Sequence, residues 1–321
     1  MAFFRSNLAS NVCLFVCDIR KKTMVRYFVL LSLLVACKGN DFKESKTFVG
    51  NQVVEGDTLN LGKQVYIEYC AACHGMKGDG NGQAAKGSFP PPRNFKQGLY
   101  KFAYVAEAAL PTDEDFKRII QHGLNGTAML KWDISEKQTY AVTQYIKTFA
   151  PQVWESKDNE KGVPLDFIKD PYGAARQEYA IQKGKEVYHG VADCQSCHRA
   201  YVSFDELSQI NEKINGEPLD DRDSDIYKLK LQESEYYFHD STDRLAQFIP
   251  PDFTYHELRS INKVEDIYKR LKAGVTGTGM PAWGETLTDE EIWATAYYVQ
   301  SLVNLRGAPE RTQMIKSLRN Q

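Results

Sequence analysis

The chain of 321 residues carries almost no net charge, −2 overall. Without a basic excess, nucleic acid is not expected as a partner. It also has little that is long and apolar: the stretch from 24 to 37 is too short to span a bilayer comfortably. The glycine-rich run Gly75 to Gly82 lacks the Lys-Ser/Thr ending of a phosphate-binding loop. Cysteine is scarce in a telling way. Of seven, Cys13 and Cys17 lie near the start, Cys37 closes the apolar stretch, and four form two Cys-x-x-Cys pairs. No thiol is left over as a redox nucleophile. Residues 306 to 321 are a short tail of mixed charge, not the output domain expected of a sensor.

What is there is ordinary for soluble globular protein, 42% hydrophobic and 26% charged, at a length that suggests two domains. Each cysteine pair is followed by histidine, as Cys70-Ala71-Ala72-Cys73-His74 and Cys194-Gln195-Ser196-Cys197-His198. One helical turn places two thiols to add to the vinyl groups of one haem, and the adjacent histidine reaches the iron. A zinc reading would need the distant copies to converge on closed tetrahedral sites. After each copy comes a Gly-Thr-x-Met loop, ending in Met129 and Met280, whose thioether sulfur is a soft second ligand that raises the potential. The expectation is two covalent haem c groups, each with its iron held by histidine and methionine, with no substrate at either metal.

The repeat extends further. Gly62-Lys63-Gln64-Val65-Tyr66 and Gly184-Lys185-Glu186-Val187-Tyr188 precede the two sites, and proline clusters Pro90-Pro91-Pro92 and Pro250-Pro251 follow, leading to Phe95 and Phe253. A helix is expected from Thr112 to Gly123, burying Phe116, Ile119 and Ile120, and its counterpart from about Ser260 to Gly274. Trp132 and Trp283 stand three residues after the methionines, and capping boxes Ser135-x-x-Gln138 and Thr288-x-x-Glu291 open the closing helices. Tyr140 with Tyr145, and Trp293 with Tyr298, are expected to pack in the cores. Two residues more between tyrosine and first cysteine in the second copy suggest a bulge. Leu130 stands where the second copy has Pro281, so the first methionine loop is expected to be the less rigid.

On these residues each half resembles a class I cytochrome c, and residues 55 to 305 resemble a dihaem cytochrome c of bacterial respiratory chains. The resemblance implies an all-α fold of two tandem class I cytochrome c domains, each wrapped around one covalently bound haem c, with first and last helices crossing. It also implies a proline carbonyl accepting a hydrogen bond from each histidine that binds iron. Pro91 and Pro251 are the candidates for it, and a purely turn-setting role is the alternative. The expected division is a leader with lipoprotein signal over 1–36, a lipidated flexible tether over 37–58, domain one over 59–155, domain two over 156–305 with an acidic insertion at about 204–243, and a tail over 306–321.

Residues 24 to 37 resemble a bacterial lipoprotein signal: a basic start, an apolar run and a small residue before Cys37. Cys37 is then the lipidated mature terminus, anchoring the protein to the inner or outer membrane of a Gram-negative bacterium and facing the periplasm. Without residues 1 to 36 the net charge is −6, and residues 204 to 243 hold twelve Asp or Glu against four Lys or Arg. That acidity either steers a basic partner or only solubilises a loop. His122, His189, His239 and His256 are taken as surface or loop residues. The expected function is electron transfer between respiratory redox proteins, a quinol-oxidising complex on one side and an oxidase or reductase on the other, alone or as a subunit of a larger oxidoreductase. The alternative is a dihaem peroxidase in which one methionine leaves its iron and His122 serves as acid-base group.

Overall fold

The computed structural model describes residues 41–106, 109–220, 236–239, 245–248 and 250–319, with only the backbone in 236–239 and 245–248. A short hairpin comes first, β1 (Lys46–Phe48) pairing antiparallel with β2 (Gln52–Val54). It turns through Gly50 and Asn51, both at positive φ. Helix α1 (Gly56–Val65) then runs through a π-helical turn, Tyr66–Cys70, into the single turn α2 (Ala71–His74). Helices α3 (Asp113–His122), α4 (Glu136–Lys147) and α5 (Pro151–Trp154) complete the first domain. The second repeats the plan: α6 (Gln177–Glu186), a π-helical turn at Val187–Val191, α7 (Phe204–Asn215), the strand pair β3 (Tyr236–His239) and β4 (Leu245–Phe248), α8 (Val264–Ala273) and α9 (Asp289–Val303). A last helix, α10 (Pro309–Arg319), follows. The fold is all-α in class, and no helix among the described residues is long and apolar enough to cross a membrane.

Local chemistry explains the helix ends. Thr112 caps α3 through a capping box with Asp115, whose buried carboxylate also accepts from Tyr104 N and Arg118 Nη1, each at 2.9 Å. Gly123 ends α3 at φ 69°, a conformation that favours glycine. Ser135 and Thr288 close capping boxes with Gln138 and Glu291. The expected helix from Ser260 starts later, at Val264. Ser260 is at φ 60°, and Asp266 Oδ2 instead accepts from the amides of Asn262 and Lys263 at 2.9 and 3.2 Å.

First and last helices cross through glycine in both domains. A Cβ on Gly62 would stand 2.1 Å from Ala141 O, and one on Gly184 2.0 Å from Ala294 O. Beside the crossings lie Tyr66 on Tyr145 and Tyr188 on Tyr298, both at 5.4 Å between centroids. Trp293 is buried and stacks on Tyr268 at 4.4 Å, but Tyr140 is exposed because it lies on the outer face of α4.

The described residues from 45 onward form one compact unit. The segment leaving α5 returns along domain one, bridging Val105 with Pro164 and Leu110 with Lys161, before Phe167 packs edge-on against both Tyr104 and Tyr268. Arg270 of α8, buried, donates to Phe102 O at 3.0 Å and Ala103 O at 3.3 Å. These bonds tie the two domains together.

One expectation about the N-terminal end is corrected. A flexible tether does not extend to residue 58, because the hairpin buries Phe48, Val49 and Val54 against domain one, with Val49 N donating to Trp154 O at 2.7 Å. The tail, α10, docks on the second domain: Arg311 Nε donates to Thr254 Oγ1 at 2.9 Å, Leu318 is buried and Met314 packs on the second core. Cys37, the leader and residues 221–235 and 240–243 of the acidic insertion lie outside the described residues.

Candidate haem sites

In the first copy the π-helical turn and α2 deliver Cys70, Cys73 and His74, with both thiols half-buried and free of disulfide. Gly75 leaves the helix at φ 78°, and the glycine-rich run folds back over its end, Gly80 N on His74 O at 2.9 Å and Gly82 N on Cys73 O at 3.1 Å. Gly82 must be glycine, since a Cβ there would sit 2.1 Å from Ala72 O. The same run carries Phe95 inward, its amide on Gly78 O at 2.7 Å. Phe95 stacks on His74 at 4.5 Å between centroids, and His74 Nδ1 lies 3.0 Å from Arg93 O.

The second copy reaches a similar end by another path. Its π-helical turn is shared with the first copy, so the extra residues are not in it. They are Ala192 and Asp193, the latter at φ 45°, and a 3-10 turn at Cys194–Ser196 replaces the α-turn. His198 stacks on Phe253 at 4.7 Å, and its Nδ1 lies 3.4 Å from Pro251 O.

Pro91 is therefore not the acceptor in the first copy. Counting back from the stacked phenylalanine puts Arg93 and Pro251 at the same place, two residues before Phe95 and Phe253. The backbone position sets the bond, and proline need not occupy it. Each carbonyl makes Nδ1 the proton-bearing nitrogen and leaves Nε2 its lone pair for a metal. Burial pulls His74 below the usual histidine range and His198 down to about 4, keeping both rings neutral as ligation requires.

The methionine loops are superposable in their bonding. Leu124 N donates to Met129 O at 2.9 Å, Thr127 Oγ1 to Leu124 O at 2.8 Å, and Met129 N to Thr127 Oγ1 at 3.1 Å. The corresponding bonds are Val275 N to Met280 O at 3.0 Å, Thr278 Oγ1 to Val275 O at 2.8 Å, and Met280 N to Thr278 Oγ1 at 3.2 Å. Trp132 N and Trp283 N return to α3 and α8 at Ile120 O and Leu271 O, 3.0 and 3.1 Å. The loop with Leu130 thus makes the same internal bonds as the loop with Pro281.

These residues fit haem c. Each copy offers two free thiols one turn apart, a neutral imidazole with its outer nitrogen already engaged, and a braced thioether. Among the described residues no group of three or more His, Cys, Asp or Glu is placed to hold a metal ion, which argues against zinc. Burial pushes the Cys70 and Cys194 thiols up to about 12, unlike activated redox cysteines.

The remaining histidines are placed as follows. His122 is exposed at the end of α3, its Nδ1 3.0 Å from Arg118 O. His256 Nδ1 accepts from Asp252 N at 3.0 Å. His189 is not a surface residue: it is buried beside Tyr298 with Nδ1 on Lys185 O at 2.9 Å and Nε2 unpartnered. Its place in the π-helical turn under α7 explains this, since the length of that turn hides which way its residues face. Sequence reasoning also missed two tyrosines, whose hydroxyls brace the backbone after each histidine: Tyr66 on Gly75 O at 2.7 Å and Tyr188 on Arg199 O at 2.9 Å. Their shared Val-Tyr offset was the available signal.

Fold and sites together define a dihaem cytochrome. The chain belongs to the cytochrome c family: the cytochrome c model matches residues 59–150, and that of cytochrome c oxidase, cbb3-type, subunit III matches 180–299, giving two tandem cytochrome c domains. Two such domains carry two covalently bound haem c groups, and the Cys70/Cys73 and Cys194/Cys197 pairs are consistent with that attachment. A solved chain of the Kuenenia stuttgartiensis reducing HAO-like protein complex is similar at 30% identity and a TM-score of 0.56, over 76% of this chain and 96% of that one. No curated protein matches.

Proposed function

We propose that the protein is an electron-transfer cytochrome, working alone or as a subunit of a larger oxidoreductase, and lipid-anchored through Cys37 on the periplasmic side of a Gram-negative membrane. Its first haem is attached at Cys70 and Cys73 and ligated by His74 and Met129, its second at Cys194 and Cys197 and ligated by His198 and Met280. The observation that carries this reading is the equivalence of the two sites: a carbonyl-oriented neutral histidine and an identically bonded methionine loop in each. Bound haem c supplies reversible one-electron exchange at iron. The chain's part would be to offer each iron a histidine nitrogen and a methionine sulfur, leaving no place for a substrate.

The partners are redox proteins of a respiratory chain, a quinol-oxidising complex upstream and an oxidase or reductase downstream. Membership of the similar Kuenenia chain in a reducing HAO-like protein complex supports the subunit form of this reading. His122, the acid-base candidate of the peroxidase alternative, is exposed and turns its ring to its own helix. The reduced protein should bind no carbon monoxide at either iron on mixing. Rapid binding at one haem would transfer the argument to an enzyme with an open metal. Anchoring is tested separately: the full chain should fractionate with membranes and Cys37→Ser should release it, whereas retention of that variant would refute lipidation there.

A further inference from the structure

The two methionine loops are alike within themselves and unlike in what surrounds them. In the first, Asn125 reaches across the domain boundary, its Nδ2 donating to Ile261 O at 2.8 Å and to Asn262 Oδ1 at 3.3 Å. The neighbouring Gly126, at φ 66°, approaches the same segment: a Cβ there would lie 3.1 Å from Glu257 Cβ. The receiving segment is itself held, Asn262 N donating to Asp266 Oδ2 and the Ser260 side chain accepting from Arg270. In the second loop the corresponding residues are Thr276 and Gly277, and a Cβ on Gly277 would meet nothing within 4 Å.

The asymmetry matches the one departure in sequence. Met280 is followed by Pro281, which restricts its own backbone and that of the residue before it. Met129 is followed by Leu130, which restricts neither, and this is the loop that the other domain braces. We propose that Asn125 is a positioning residue through which the second domain holds the Met129 loop closed on the first haem. Methionine ligation at the first iron then depends on domain contact, while at the second it is set within its own domain. The inference rests on the reading of Met129 as an iron ligand.

The test uses the full-length holoprotein and Asn125→Thr, which installs the residue that the second loop already accepts at this place. Two readouts are taken on the ferric protein: the weak far-red absorbance that reports sulfur bound to iron, and the rate of cyanide binding at each haem. Met129→Ala and Met280→Ala assign the signals. Asn125→Thr should raise the cyanide rate at the first haem about tenfold, as expected for loss of one well-made hydrogen bond holding the closed loop. The second haem should be unchanged. An unaltered first haem, or equal acceleration at both, overturns the proposal while leaving Met129 as ligand. Absence of the far-red signal from the first haem of the unsubstituted protein overturns the ligand assignment and the proposal with it.

Discussion

Gly184→Ala should destabilise the holoprotein by about 3 kcal/mol, and Gly62→Ala by a similar amount, because overpacking a close contact against backbone cannot be relieved by a rotamer change. The sign is the informative part. Both glycines lie inside helices at ordinary helical φ, where alanine in an exposed position would add about 1 kcal/mol of stability through propensity alone. Here the added Cβ would enter the space of a carbonyl oxygen, at 2.0 Å for Gly184 and 2.1 Å for Gly62. The helices must then separate, and with them Tyr188 from Tyr298 and Tyr66 from Tyr145. Tyr188 and Tyr66 brace the backbone following His198 and His74, so the strain should reach the haem pockets. Denaturant unfolding monitored at the haem absorbance and by helical ellipticity measures both, and a gain in stability in either variant would show that the helices do not meet at glycine.

Lys147→Ala should cost about 2 to 3 kcal/mol, less than for a fully buried ion pair because the Asp113 side chain left behind is 29% exposed. Lys147 is only 1% exposed, at the last turn of α4, and its Nζ meets Asp113 Oδ1 at 2.5 Å, Gln144 Oε1 at 2.9 Å and Gln52 Oε1 at 3.0 Å. Asp113 Oδ2 is held in turn by Gln52 and Gln144 at 2.9 and 3.0 Å. Four side chains from the hairpin, α3 and α4 thus form one closed polar knot beneath Trp154, and without the lysine the half-buried carboxylate loses its cation and keeps the two glutamine amide donors. Burial pulls Lys147 below the ordinary lysine value and Asp113 restores part of the loss. For Asp113, burial raises the pKa, but Lys147 and the two glutamines outweigh it and hold the carboxyl below its usual range. A depressed carboxyl pKa contributes stability that stands above the unfolded-state value and is lost as pH falls through the folded one. The unsubstituted protein should therefore lose stability in acid more steeply than Lys147→Ala. The double variant Lys147→Met with Asp113→Asn should recover much of the loss at neutral pH. Equal stability of Lys147→Ala and the parent in equilibrium unfolding would mean that the knot is solvated.

Much of this was legible because local rules and tertiary fold agree. The capping boxes at Ser135 and Thr288 begin helices where a side chain can satisfy the first free amides. The Gly-Thr-x-Met loops carry their own threonine brace, so the motif predicts its own geometry. What escaped sequence reasoning depended on distant residues or on backbone alone. The hairpin at 46–54 has three-residue strands and is completed by Trp154 and Glu155, a hundred residues on, so no periodic pattern announces it. The acceptor for His74 is a carbonyl, for which residue identity is mute. Aligning the copies on their prolines misplaces it, whereas aligning on Phe95 and Phe253 finds it. The reading of Leu130 as a source of looseness considered only the loop's own backbone, and the brace on that loop comes from Ile261, in the other domain.

A redox titration of the purified holoprotein, following the far-red absorbance that reports methionine sulfur on ferric iron, tests the central claim most directly. Two such bonds, lost together in Met129→Ala with Met280→Ala and titrating at positive potentials, are the expected result. A single bond in the unsubstituted protein, with a second haem that takes up cyanide at once, would contradict the account of two closed electron-transfer centres.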